Sequence, residues 1–334
     1  MKLYEYKDIR KVHWEPTQKC NASCPMCDRN DNGGSVNKYL TNADMSLEDA
    51  KTIFTPEFVG QLQSISACGN HGDPGLCKEL IPIFQYFKSH NPKIFLSVVT
   101  NGGMRPTHWW EELAGVADKV TFSVDGLDDT NHLYRQGVVW DRVEKNMEAF
   151  SDAGGRGTWT FIVFKYNEHQ VKSAEMYAKL LGFDFVLKKS GRYINTQSLE
   201  RKSVEGNLAQ PDNPEYRNKE LAKLDSFVEQ MKKGVEIDCK AIPKKEIYIS
   251  AEGFVFPCCW LGSQPYKFWR PDVGGDVWDA IGSWHNVNAK ELSIKEIVEG
   301  DFFRKVEDSW PENKIKTCAL KCNKGFDPFL AQWK

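Results

Sequence analysis

The sequence predicts an α/β fold: a parallel sheet followed by a small, cysteine-rich C-terminal unit. Three observations predict it. Over residues 1–190, short β-rich runs alternate with amphipathic helical stretches, the pattern of strand–helix units in a parallel sheet. Residues 191–234 turn polar, rich in Gly, Asn, Gln, Pro and charge, and read as a connector. Residues 235–334 combine short strands, turns, aromatics and five cysteines. A small, loop-rich unit of this kind needs a staple such as a metal or a cluster.

The expected strands are Val12–Gln18, Leu62–Ala67, Ile94–Thr100, Lys119–Val124, Trp159–Phe164 and Phe183–Lys188. Between them, Ser46-Leu47-Glu48-Asp49 reads as an N-cap with acids in the first turn, opening a helix through about Phe54. Helices over Lys78–Ser89, Thr107–Ala114, Trp140–Ala153 and Glu168–Leu181 follow. In the last, Val171, Ala174, Ala178 and Leu181 recur at helical spacing and Gly182 provides the stop. Six such units are fewer than a closed eight-stranded barrel needs, so an open partial barrel and a doubly wound sheet both fit. The connector holds one helix, Asn218–Lys233, and Glu246–Ser250 with Gly253–Phe256 reads as a hairpin around Ala251-Glu252.

With 334 residues, 41% hydrophobic and 27% charged, the chain has the composition of a globular protein with one large and one small domain. A net charge of -2 with no basic field argues against nucleic acid as a partner. The first residues, MKLYEYKDIRKVHWEP, lack the apolar core of a signal peptide, and no run of about 18 apolar residues suggests a membrane span. The expected compartment is the cytoplasm. Ten cysteines there point to metal, cluster or catalysis rather than disulfides.

Cys20, Cys24 and Cys27 form C-x3-C-x2-C directly after the first strand. Three thiolates this close can wrap one face of a cubane cluster and leave the fourth iron open to a ligand. Zinc would call for a fourth Cys or His nearby, and His13 is poorly placed for it. Farther on, Cys239, Gly253 and Cys258 are spaced C-x13-G-x4-C, Cys259 is adjacent, and Cys318 and Cys322 add C-x3-C. Four of these thiolates can close an iron–sulfur cluster or a zinc site. Cys68 and Cys77 read as small buried hydrophobes. Of the seven histidines only His71 lies in a segment of interest. Trp260, Trp269, Trp278, Trp284 and Trp310 read as core, with a pocket lining as the alternative for one or two.

The stretch Glu15–Arg29 resembles the cluster loop of the radical S-adenosylmethionine (SAM) superfamily, with Met26 where an aromatic is common. Further matches follow at successive strand ends. Gly69-Asn70-His71-Gly72-Asp73-Pro74 is similar to the family's Gly-Gly-Glu-Pro segment, with Asp for Glu. Thr100-Asn101-Gly102, Ser123-Val124-Asp125-Gly126 and Tyr134-Arg135 match further family segments. The resemblance spans residues 10–190 and implies a partial (β/α)6, TIM-like barrel. It implies that Cys20, Cys24 and Cys27 hold a SAM-binding [4Fe-4S] cluster and that Gly72, Asp73, Pro74, Asn101, Ser123, Asp125 and Arg135 contact SAM. Lys165 and Asn167 either line the same mouth or belong to a surface loop. The C-terminal cysteines resemble the SPASM or twitch extension. Five cysteines suit the shorter twitch form, with one auxiliary [4Fe-4S] cluster on Cys239, Cys258, Cys318 and Cys322. Cys259 is the alternative to Cys258.

The implied chemistry is reductive cleavage of SAM to methionine and a 5′-deoxyadenosyl radical, which abstracts hydrogen from a second substrate. An external one-electron donor such as flavodoxin or ferredoxin would supply the electron. The auxiliary cluster would assist an oxidation, bind substrate or hold its domain together. The substrate is a small molecule or a peptide. Because the first cluster begins at residue 20, a substrate recognised without a leader-binding domain is expected. The other readings are a peptide- or protein-modifying maturase, a methyl- or group-transfer enzyme, and a non-catalytic zinc protein.

Overall fold

The computed structural model describes residues 3–30, 34–193, 206–267 and 275–326. Eight strands make one unclosed sheet: β1 (Lys11–Trp14), β2 (Ser64–Ala67), β3 (Phe95–Thr100), β4 (Lys119–Ser123), β5 (Gly157–Ile162), β6 (Asp184–Lys188), β7 (Glu246–Ile249) and β8 (Val255–Phe256). The order is β6-β5-β4-β3-β2-β1-β7-β8. All pairs are parallel except β7–β8. The first six strands are the partial barrel, each near its expected position. The expected hairpin over 246–256 is present, and its first strand pairs with β1 from Lys11↔Glu246 to Trp14↔Ile249. The C-terminal region is thereby stitched into the barrel's own sheet.

The helices alternate with the strands as the periodicity requires. The first ten are α1 (Leu47–Ile53), α2 (Pro56–Gln61), α3 (Leu80–His90), α4 (Thr107–Ala114), α5 (Asn131–Tyr134), α6 (Trp140–Asp152), α7 (Val171–Leu180), α8 (Leu224–Lys233), α9 (Ala241–Lys244) and α10 (Cys259–Lys267). The Ser46 cap on α1 is reciprocal: the Ser46 hydroxyl accepts from Asp49 N at 3.0 Å, and Asp49 accepts from Ser46 N at 3.3 Å. Helix α2 has no counterpart among the helices expected from the sequence. Thr55 caps it by accepting from Phe58 N at 3.3 Å, and Pro56 occupies the first turn, where its missing N–H costs nothing.

One sheet face packs on these helices and is apolar. Trp14 meets Phe54, Phe84 and Phe87, Phe122 meets Trp110 and Phe150, and Trp159 meets Trp140 and Tyr177. Each such buried side chain contributes about 1.5–3 kcal/mol. The alternate residues face the other way, and many are polar. Register aligns His13, Ser66, Ser97 and Lys119 across β1 to β4, and Ser123 with Thr160 across β4 and β5. Parallel sheets covered on both faces read as continuous apolar runs. Here the inner face carries polar, half-buried side chains rather than a second apolar run.

Candidate active site

The chain leaves β1 through Glu15, which is buried, and turns into the loop carrying Cys20, Cys24 and Cys27. Neighbouring strand ends hold that loop. Asn21 Nδ2 donates to Gly103 O at 3.0 Å and accepts at Oδ1 from Asn101 Nδ2 at 2.9 Å. Ser23 N donates to Gln136 O at 2.8 Å. Arg192 Nη1 donates to Met26 O at 2.9 Å and to the Tyr134 hydroxyl at 2.8 Å. Two cationic or amide donors face the thiols: Asn101 Nδ2 lies 4.0 Å from Cys20 Sγ, and Arg135 Nη1 lies 4.0 Å from Cys24 Sγ. Burial, seconded by Asp73, pushes the Cys20 thiol up to about 12. Burial also raises Cys24, which Arg135 opposes. Thiols in this state become ligands when iron displaces their protons, which is how metal binding couples to deprotonation.

The remaining expected contacts converge on the same end of the sheet in two roles. Gly72 touches backbone: a Cβ there would lie 1.8 Å from Thr17 O, so only glycine fits. Asp73 is a brace. Its Oδ1 accepts from Thr100 Oγ1 at 2.7 Å and Gly75 N at 3.0 Å, and Oδ2 accepts from Asn101 N at 2.7 Å. It thereby ties the loop after β2, including Pro74, to the end of β3. Asp125 is fully buried. Its Oδ2 accepts from Arg135 Nε at 2.7 Å, and Oδ1 accepts from Ile162 N at 2.6 Å. Burial opposes the Arg135 charge, but Asp125 and Cys24 outweigh it and hold the guanidinium above its ordinary value. Ser123 Oγ accepts from Thr160 Oγ1 at 3.3 Å. Asn167 is a structural tie, donating to Asp125 O and Ile162 O at 2.9 Å each. Lys165 is turned outward to Asp212 at 3.2 Å. His71 is buried with its ring against Tyr266.

Sequence reasoning missed two cations here. Arg192 lies in the polar connector, where no periodicity marks it. Lys188 ends β6 opposite Ile162, with Cys68, Asp125, Arg135 and Arg192 as its charged or titratable neighbours. Burial lowers its ammonium to about 8 from an ordinary 10.5; Cys68 and Asp125 oppose the shift, and Arg135 and Arg192 add to it. Below about pH 8 the folded chain carries the full penalty of burying that charge. Between about 8 and 10.5 the folded form is neutral while the unfolded chain still holds the proton, so stability rises with pH there. Lys188→Met is therefore expected to raise the unfolding temperature at pH 7, with a gain that shrinks by pH 9. An equal gain at both pH values would refute the assignment.

The second cysteine group closes on a small apolar pocket. Cys239, Cys258, Cys318 and Cys322 all line it, among apolar residues such as Leu3, Ile237, Leu261 and Val306. The fold brings them together from three segments. An Ile237–Asn323 bridge and the Asp238 N to Cys322 O hydrogen bond at 2.5 Å lay Cys239 beside Cys322. Cys259 is outside the lining; its carbonyl accepts from Asn70 Nδ2 at 2.9 Å. Trp260 and Trp310 line the cavity, Trp278 and Trp284 pack on each other, and Trp269 lies outside the described residues. Among the described residues no three His, Cys, Asp or Glu side chains are arranged around a single metal ion. A cubane makes no such demand, because each cysteine binds a different iron. The donor set, thiols in an apolar surround with no competing carboxylate lining, fits a cluster.

Two family models match the chain: the radical SAM superfamily over residues 14–177 and an iron–sulfur cluster-binding domain, SPASM, over residues 239–323. The chain belongs to the radical SAM superfamily and carries a SPASM-type domain; SAM, its [4Fe-4S] cluster and auxiliary iron–sulfur are the cofactors of that class. Among similar solved structures, anSMEcpe with bound AdoMet matches with a TM-score of 0.57 at 17% identity, over 96% of this chain and 90% of that one. Streptococcus suis SuiB bound to precursor peptide SuiA matches with a TM-score of 0.57 at 14% identity, over 96% and 74%. SuiB bound to S-adenosylmethionine matches with a TM-score of 0.50 at 16% identity, over 76% of this chain and only 61% of that one. At these identities the likeness is one of fold. No curated protein matches the chain. Among the described residues no helix is long and apolar enough to cross a membrane.

Proposed function

We propose that Cys20, Cys24 and Cys27 hold the SAM-binding cluster, that Cys239, Cys258, Cys318 and Cys322 hold one auxiliary [4Fe-4S] cluster, and that the enzyme abstracts hydrogen from a substrate seated on the polar face of the sheet. The observation that carries this reading is convergence: donors after β3 and β4 reach the sulfurs of the loop after β1. Bound SAM and its cluster supply a 5′-deoxyadenosyl radical able to take a hydrogen atom from carbon. The chain positions and shields. Asn101 and Arg135 place donors beside Cys20 and Cys24 and ease the build-up of thiolate charge. Asp125 fixes the Arg135 guanidinium, and Asp73 fixes the backbone of Asn101. Gly72 lets backbone approach the cluster loop. The half-buried hydroxyls of Ser66, Ser97 and Ser123 offer donors and acceptors to a polar substrate. The resulting reaction is an oxidation of a small polar molecule or a peptide segment, with an electron from a flavodoxin- or ferredoxin-like donor. A peptide is favoured as the alternative to a small molecule by the likeness in fold to SuiB, which binds precursor peptide SuiA.

The test is anaerobic reconstitution followed by incubation with SAM and dithionite. Methionine with stoichiometric 5′-deoxyadenosine is expected; S-adenosylhomocysteine would replace hydrogen abstraction with methyl transfer, and colourless zinc-bound protein would end the reading. Cys258→Ala is expected to lose roughly half of the bound iron, since one of two cubanes loses a ligand. Cys259→Ala is expected to keep it all, and the reverse outcome would exchange the two assignments.

A further inference from the structure

We propose that Asn70 is a positioning residue that couples the SAM-binding loop to the auxiliary cluster. The inference rests on the ligand sets proposed above and goes beyond them. Residues 69–73 lie between the two cysteine sites and touch the chain leading into each. On one side the loop is locked to the run before Cys20. Asp73 N donates to Lys19 O at 2.8 Å, and His71 N and Gly72 N donate to Glu15 Oε1 at 2.7 and 2.9 Å. The packing there leaves no slack, because a Cβ on Gly69 would lie 2.2 Å from Gly72 O and one on Gly72 would lie 1.8 Å from Thr17 O. On the other side the loop grips α10. Asn70 Nδ2 donates to Cys259 O at 2.9 Å, at the first residue of the helix and one residue beyond Cys258. The His71 ring meets the Tyr266 ring near the other end of that helix at 4.9 Å.

A ligand that draws on Gly72, Asp73 and Pro74 therefore bears on a loop whose far edge is hydrogen-bonded to the carbonyl of Cys259, the residue after Cys258. Cluster spectra and potentials respond to ligand geometry and to hydrogen bonding close by. Asn70 makes a polar connection from residues 69–73 to that helix, and His71 makes a ring contact. Coupling of this kind is reciprocal: if SAM shifts the reduction equilibrium of the auxiliary cluster, reducing that cluster shifts SAM affinity by the same factor.

The experiment is electron paramagnetic resonance of the dithionite-reduced holoenzyme with and without SAM. The auxiliary signal is assigned by its absence in Cys258→Ala. In the wild type, SAM is expected to change the auxiliary signal as well as that of its own cluster. In Asn70→Ala the auxiliary change is lost, while iron content and the SAM-induced change at the first cluster remain. Asn70→Asp keeps the shape but sets an acceptor against the carbonyl, so it too loses the response, and it serves if the alanine variant binds iron poorly. An auxiliary signal that ignores SAM in the wild type, or that responds undiminished in both variants, overturns the proposal. Iron for a single cubane in the wild type would overturn the ligand reading beneath it, and that outcome is distinct because it precedes any addition of SAM.

Discussion

Cys24→Ala is expected to abolish formation of 5′-deoxyadenosine while leaving the auxiliary iron in place. Cys24 is buried, with the Arg135 guanidinium 4.0 Å from its sulfur. Removing it leaves Cys20 and Cys27 as the loop's only thiols, and two ligands do not retain a cubane with one iron already open. Asp125, which acts on Cys24 from the end of β4, is engaged by Arg135 and Ile162 N. Loss should therefore be complete rather than graded, and the iron count should fall by one cluster. Anaerobic iron analysis and quantification of 5′-deoxyadenosine check both halves. Cleavage at a rate comparable to wild type would remove Cys24 from the ligand set.

The legible parts of this protein are those written locally. The six strands and their helices follow from period-2 and period-3.6 patterning, and the C-x3-C-x2-C loop needs only eight consecutive residues. The pairing of β7 with β1 joins residues more than 230 positions apart, and no local pattern announces a partner so distant. Helix α2 is six residues long and starts on a proline, too short for a periodic signal. The polar inner face was present in the sequence. Lys-Val-His-Trp, Ser-Ile-Ser-Ala and Lys-Val-Thr-Phe-Ser alternate polar with apolar residues, the mark of a half-buried strand. That alternation distinguishes such a sheet from one with apolar layers on both faces. Adjacent Cys258 and Cys259 stayed ambiguous because direction depends on where α10 begins, and helix starts are the least certain feature of a pattern. Arg192 carried no signal at all; its role exists only because the chain after β6 folds back over Met26 and Tyr134.

Asp125→Ala is expected to be strongly destabilising, at about 3–5 kcal/mol, the cost of stripping one partner from a buried ion pair. The carboxylate is wholly inaccessible, and the Arg135 side chain retains only 17% of its exposure. Truncation leaves the guanidinium without its counter-charge and Ile162 N without its acceptor. Each is a buried donor that water cannot easily reach. Asp125→Asn should cost less, because an amide oxygen can still accept from Ile162 N. Combining Asp125→Asn with Arg135→Met should cost less than Asp125→Ala alone, since no unpaired charge remains. Function separates from stability in that series: all three lose the ordered guanidinium beside Cys24, so SAM cleavage should fall in each even where the fold is restored. Urea unfolding under anaerobic conditions gives the first ranking and 5′-deoxyadenosine yield the second. A double variant as unstable as Asp125→Ala would mean that the buried charge is not what Asp125 controls.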